Sequence, residues 1–389
     1  MNIRIMTSGV LAAAAIALGS GVLAQNVPPQ FVVSGKAAEQ IQDFTTINLA
    51  TAERIAETCE KLAAAEGVAI SMYVLDNDGN HVYMDRMDGQ GHLNIITAEM
   101  KARTALMQRA PSKVVMNQVL QNPNAELQRI QLGMFPNSGG LPIVINKQMI
   151  GAIGIGGSAP RVPVWSDEIC GHKAMQEVLG ASNVAPLIED VPRPQSAAPA
   201  NPAPVPRFAT ATTPKTTISN PEWVVGGRGA ANVFDGNQIS LVAAKRVAKV
   251  CRDFAAAKGG GMSLYIINNA GELVHMERMD GQVFNNIRTA LLKAQTSLEA
   301  RVPTSVYTAQ GRNNPAGQTR TIAQFDFFTN SGGLPIVVDG QMIGAIGVGG
   351  GAGGSGDENC AIEGLKATFG DHVTLPVYPA ATAERTSSR

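Results

Sequence analysis

This sequence is short of aromatic residues, cysteine, histidine and net charge, and each shortage removes a class of function. Two Trp, five Tyr and eleven Phe in 389 residues leave no run of stacking platforms for single-stranded nucleic acid. Thirty-one Lys and Arg balance thirty-one Asp and Glu, so neither a nucleic acid nor an anionic membrane meets a general basic surface. The four Cys include no Cys-x-x-Cys, which speaks against a cysteine-built metal site. No Cys-x-x-Cys-His occurs either, which excludes ordinary covalent c-type haem attachment. The five His form no cluster, and no Gly-x-Ser-x-Gly elbow marks a hydrolase.

Long apolar runs are also missing after the first residues. Met1–Arg4 is short and basic, Val10–Leu18 is apolar, and Val22-Leu23-Ala24 presents small residues to a signal peptidase. Residues 1–24 therefore read as a secretory signal peptide cut after Ala24. The apolar run is too short to span a bilayer comfortably. The expectation is an exported protein with no membrane span, in a bacterial periplasm where disulfides persist.

What is present is a repeat. "RMDGQ" stands at Arg86–Gln90 and again at Arg278–Gln282. Around it, "SMYVLDNDGNHVYMDRMDGQ" from Ser71 aligns with "SLYIINNAGELVHMERMDGQ" from Ser263. Farther on, "NSGGLPIVINKQMIGAIGIGG" from Asn137 aligns with "NSGGLPIVVDGQMIGAIGVGG" from Asn330. Two homologous domains are expected, over 40–182 and 223–375, joined by a Pro/Ala/Thr-rich linker over 183–222. Each reads as an Ala-rich helix (Leu49–Glu66; Ile239–Ala257), then a hairpin around Asn77-Asp78-Gly79 or Asn269-Ala270-Gly271. A second helix (Ile95–Gln108; Ile287–Leu298), an irregular stretch, a second hairpin and a last helix near Asp167 or Asp357 follow. Helices bracketing hairpins indicate an α+β domain with an antiparallel sheet.

The cysteines fall at matching places, Cys59 and Cys251 in the first helices, Cys170 and Cys360 in the last. One bridge per domain, Cys59–Cys170 and Cys251–Cys360, is the economical pairing in an oxidising compartment; free buried thiols are the alternative.

A residue kept in both copies was retained twice in one molecule, which selects candidates for a site. At strand spacing Val82, Met84, Arg86 and Asp88 share a face, as do Val274, Met276, Arg278 and Asp280. The Arg/Asp pair is either a structural ion pair or the polar end of a pocket, and Arg suits an anionic ligand. Thr97, Lys101 and Thr104 make a polar helix stripe, repeated as Thr289, Lys293 and Thr296; it is a solvated face or a pocket wall. Ala98, Ala102, Ala290 and Ala294 beside it allow close helix–sheet approach. Asn94 and Asn286 open these helices, as N-caps or ligand contacts. Gly139-Gly140 and Gly332-Gly333 permit close backbone approach and offer amides to an anion. "GAIGIGG" and "GAIGVGGG" match a dinucleotide fingerprint poorly in spacing. No His aligns between the copies; Tyr73/Tyr265, Met84/Met276 and Met87/Met279 do, as core residues or, alternatively, haem-iron ligands.

Together these motifs resemble the GlcG/HbpS-like family, often described as haem-degrading. Asp76, Gly79, Arg86, Asp88, Gly89, Lys101, Ala102, Thr104, Gly139, Gly140, Leu141, Pro142, Gly151 and Gly154 fall on its pattern, and the second copy repeats most of them. The resemblance implies, for each tandem domain, a five-stranded antiparallel sheet flanked by helices. It also implies assembly into dimers or larger oligomers, and non-covalent binding of haem or a related tetrapyrrole in some members. The sequence departs from the pattern at Asn94 and Asn286, at Gly156 and Gly349, and at Asn268, where the first copy keeps Asp76.

Three readings of function follow. The first is an exported binding protein for a small anionic ligand, haem foremost. Arg86, Asp88, Asn94, Lys101, Gly139 and Gly140, with Arg278, Asp280, Asn286, Lys293, Gly332 and Gly333, would line its two sites. The second is an accessory protein whose fused domains mimic a family dimer, as a homo-oligomer or an intramolecular pseudo-dimer. The third is an enzyme on a small hydroxy- or keto-acid, for which no acid–base or nucleophile set repeats.

Overall fold

A computed structural model describes residues 27–40, 45–123, 126–158, 164–191, 217–230, 232–233, 235–313, 322, 325–351 and 354–376. The expected leader over 1–24 and the linker's 192–216 lie outside the described residues. In chain order the first copy holds α1 (Leu49–Ala65), β1 (Ser71–Asp76), β2 (His81–Arg86), α2 (His92–Gln108), α3 (Ser112–Gln121), α4 (Glu126–Gln131), β3 (Gly140–Ile145), β4 (Gln148–Gly156) and α5 (Asp167–Leu179). The one-turn α6 (Gly227–Ala230) precedes the second copy. That copy holds α7 (Leu241–Ala257), β5 (Ser263–Asn268), β6 (Leu273–Arg278), α8 (Phe284–Ala300), α9 (Thr304–Asn313), β7 (Gly333–Val338), β8 (Gln341–Gly349) and α10 (Gly354–Phe369). Helices α3, α4 and α9 occupy the stretch expected to be irregular.

The strands form one antiparallel eight-stranded sheet, ordered β3-β4-β1-β2-β6-β5-β8-β7. The two copies meet edge to edge where β2 pairs β6, with Met84 opposite Met276. Pairing these edges removes two exposed ladders that would otherwise invite aggregation. Among the described residues each copy supplies four strands, where the resemblance implies five. The segment before the first helix makes only the isolated bridge Val32↔Ile47 or Val224↔Ile239.

Helices α2 and α8 lie on one face over a core shared by both copies, with Tyr73, Met84, Tyr265 and Met276 at its centre. The opposite face carries a separate core in each copy, under α1 and α5 and under α7 and α10. The disulfides Cys59–Cys170 and Cys251–Cys360 pin those helix pairs, with Cα–Cα distances of 5.3 and 4.6 Å. They close long loops and remove conformational freedom from the unfolded chain.

Two local features depart from the sequence reading. A register shift places Tyr83 opposite Val74 and His81 opposite Leu75, leaving Val82 as an extra residue on β2. The bulge turns Val82 toward the α1 side while Met84 faces α2, so the four residues expected on one face do not share it. The same shift separates Val274 from Met276. The ends of the expected linker are also seated on the domains: Lys113 pairs with Asp190 at 2.8 Å, and the Ser219 amide donates to Asp339 at 2.9 Å.

Candidate functional site

The repeated pentapeptide sits at the joint between the copies, and four of its five residues reach across it. Arg86 donates to the Leu273 carbonyl at 2.6 Å and lies 3.4 Å from Glu272, both on the second copy's hairpin. Arg278 answers by pairing with Asp76 of the first copy at 2.8 Å. Met87 and Met279 each pack against both lateral cores. Asp88 accepts the Leu241 amide at the start of α7, and Asp280 accepts the Leu49 amide at the start of α1. A carboxylate there satisfies a free helix donor and meets the positive end of the helix dipole. Burial raises both Asp carboxyls, and these amide bonds only partly offset it. Gly89, at φ 85°, packs so closely on Gly229 that a Cβ would lie 2.7 Å from its Cα.

The hairpin asymmetry follows from this joint. Asp76 and Asn268 both fold the turn, accepting amides two and four residues on. Only Asp76 carries a charge for the facing arginine; in the second copy Glu272, at the position of Asn80, supplies it instead.

The lysine stripe is internal. Lys101 Nζ binds the Ile155 carbonyl at 2.8 Å and Asp167 at 2.9 Å; Lys293 binds the Val348 carbonyl and Asp357, both at 2.7 Å. Both lysines are buried and tie the second helix to the start of the last. Thr104 and Thr296 accept the amides of Phe135 and Phe328, while Thr97 and Thr289 bond within their own helices. Arg and Lys in each copy thus turn to different partners, and the structure does not bring them together as the lining of one site.

The remaining repeated residues also have internal partners. Asn94 and Asn286 are not N-caps, because the helices start earlier, after Gly91 and Val283. They donate to Gln90 and Gln282. The Gly140 and Gly333 amides, expected to face an anion, donate to Ser112 and Thr304 at 2.9 Å. Gly139 and Gly332 adopt φ of 111° and 118° beside the lysine–aspartate pairs. Gly154 and Gly347, from the glycine-rich strand ends, press on α2 and α8, where a Cβ would lie about 2 Å from the Ala98 and Ala290 carbonyls. Met84, Met276, Tyr73 and Tyr265 are wholly buried, and reaching them would require opening the sheet.

Two polar clusters at the joint involve residues that repetition did not select. Beneath α1 and α7, Asp85 lies 2.5 Å from His275 and 2.8 Å from Lys245, which also lies 2.9 Å from Glu60. Arg252 pairs with Glu277 and, at 3.2 Å, with Glu53. Burial works against the charge on Asp85, but Lys245 and then His275 hold its carboxyl below the ordinary range. Burial, then Asp85, pushes Glu60 up to about 8, and Lys245 pulls against that rise. Burial opposes the His275 imidazolium too, yet Asp85 lifts it to about 9. On the other face His81 bonds Tyr265 at 2.6 Å and Glu99 at 2.9 Å, and Arg103 clamps Glu99. The second copy has Leu273, Leu291 and Gln295 at these places. Comparing the copies for changes of charge, rather than for identity, would have found both clusters. Among the described residues no group of three His, Cys, Asp or Glu is arranged to hold a metal ion.

Open space lies outside the joint's buried contacts. A cleft of about 550 Å³ runs along α8, walled by Leu292, Phe325, Phe327 and Phe328, with Arg288, Glu299 and Asp326 on its border. A second cleft of about 440 Å³ lies at the seam, between Gln90 and His92 of one copy and Asn269 and Glu272 of the other.

The model of the "Haem degrading protein HbpS-like" family matches residues 47–176 and 239–366. The chain belongs to this family. Its HbpS-like domains occur twice, in tandem. It is similar to a curated protein of Citrobacter freundii, "Uncharacterized 15.0 kDa protein in dhaT-dhaS intergenic region", with 32% identity over 120 residues, 30% of this chain and 83% of that one. Solved structures similar to it include HbpS, 28% identical over 38% of this chain and 99% of that one (TM-score 0.32). Another is Klebsiella pneumoniae protein ORFY, 27% identical over 37% and 95% (TM-score 0.30).

Proposed function

We propose that this HbpS-like protein is an exported binding protein for a flat, largely apolar ligand with a carboxylate edge, haem being the best match. The observation that carries the reading is the cleft along α8. Its volume of about 550 Å³ is in the range of small-molecule sites, and Phe325, Phe327, Phe328 and Leu292 supply apolar walls for a macrocycle. Arg288 offers a guanidinium to one carboxylate edge. Glu299 and Asp326 disfavour further anions on the same border. None of the described residues lining this cleft is His, Cys, Met or Tyr, so the cleft fits the porphyrin ring and its carboxylates rather than its iron. Export is part of the proposal, supported by the leader-like start and by two disulfides of the kind that persist outside the cytosol.

The first copy does not reproduce the cleft's chemistry. Ile96, Met107, Leu132 and Met134 replace Arg288, Glu299, Phe325 and Phe327. One ligand per chain is therefore expected.

Titration of the purified protein with haem and with metal-free protoporphyrin IX tests this. Both should bind with similar affinity, and Arg288→Glu should weaken both about tenfold, as for loss of one charged contact. No binding of either at micromolar protein would remove the proposal.

The accessory-protein reading has its own support. All four repeated Arg and Lys residues of the expected sites are engaged in structural pairs at the joint or beneath the last helix.

A further inference from the structure

The first helices of the two copies align residue for residue, yet their charges are reversed at four positions. Glu53, Glu57, Glu60 and Lys61 on α1 stand where α7 has Lys245, Lys249, Arg252 and Asp253. Two of the four positions face the joint. Glu53 meets Arg252 at 3.2 Å and Glu60 meets Lys245 at 2.9 Å, so each position contacts the other's counterpart across the pseudo-two-fold axis. Asp85 and Glu277, at equivalent strand positions and almost fully buried, complete the two pairs on opposite sides.

We infer that the joint is built to accept one copy of each kind, and that neither domain pairs with a domain of its own kind. In a pair of first copies, each Glu53 would face a Glu60 over two buried Asp85 carboxyls. No Lys, Arg or His from these positions would be present. A pair of second copies would set each Lys245 against an Arg252, with only the two Glu277 carboxylates to balance four such cations and two His275 rings. Burying unpaired like charges costs far more than the exposed equivalent, so the penalty falls on the wrong pairings while the native one is satisfied. The partner recognised by each half is the opposite half of this same chain type. The surface therefore excludes single-domain relatives carrying either pattern twice.

Charge reversal in the intact chain tests this, since it imposes each forbidden pairing on a joint held together by the covalent link. Lys245→Glu with Arg252→Glu gives the second copy the first copy's acidic face. Glu53→Lys with Glu60→Arg gives the first copy the second's basic face. Each double variant should lower the thermal midpoint by on the order of 10 °C. The quadruple variant, with charges exchanged across the joint, should recover most of that loss while keeping the wild-type scattering profile. A midpoint within about 3 °C of wild type in either double variant would overturn the inference. So would a quadruple variant no more stable than the doubles. Far-UV circular dichroism on all three, below the transition, separates loss of pairing from failure to fold.

Discussion

The two copies agree where they touch each other's backbone and disagree where they touch each other's charges. RMDGQ is spelled identically because both instances do the same work, gripping the facing hairpin and capping the facing helix. The α1 and α7 faces diverge because an interface between unlike halves is satisfied best when one is acidic and the other basic. The lesson is that duplication marks structure as readily as function. Residues retained twice here hold the sheet together, and the cleft along α8 is walled by second-copy residues that the first copy replaces.

The comparison can be broken most sharply at the lysines. Lys101→Met and Lys293→Met should each cost about 3–5 kcal/mol, because each leaves a buried carboxylate, Asp167 or Asp357, without its cation. The two losses should agree within about 1 kcal/mol by urea unfolding, since the sites are near copies. A large inequality would show that the halves have diverged even where the sequence did not.

The next effect is one of pH. His275 holds its proton up to about 9 when folded, against an ordinary value of 6.5, and Glu60 up to about 8 against 4.5. The native state thus binds protons that the unfolded chain releases, so stability falls as pH rises. The Glu60 contribution is complete below pH 4.5 and is lost by about 8; that of His275 is complete below about 6.5 and lost by about 9. Between pH 6.5 and 9 the His275 part of that fall should be on the order of 3 kcal/mol. His275→Tyr, which copies the residue of the first domain, should flatten the upper part of that profile in denaturation curves taken across the range.

The smallest effect sharpens the hairpin asymmetry. Asp76→Asn keeps the turn but removes the charge facing Arg278, and should cost about 1–3 kcal/mol. Adding Asn80→Glu recreates the second copy's arrangement and should restore most of the loss, read as a thermal midpoint. If the second change gives no recovery, the equivalence drawn between Asp76 and Glu272 is wrong.

Much of this architecture was legible in one dimension. Hairpins announced themselves through Gly-containing turns between apolar runs, and the cysteine pairing through matched positions in first and last helices. The small residues of the second helices matched the glycines that press on them. The bulge at Val82 was not legible, because an inserted residue leaves strand spacing unchanged in the sequence and reveals itself only in pairing. Asn94 reads as a cap by type, but Gly91 opens the helix a residue before His92 and leaves Asn94 to Gln90.

The sequence by itself determined two tandem α+β domains and the set of residues common to both. These follow from local pattern and from repetition, which need no partner. Only the tertiary structure decided that the domains share one sheet, that the repeated Arg and Asp cross the joint, and that the repeated Lys lies beneath the last helix. The physical reason is that an ion pair or a helix cap is completed by a group far away in the chain, and one dimension lists the donors and acceptors without saying which of them meet.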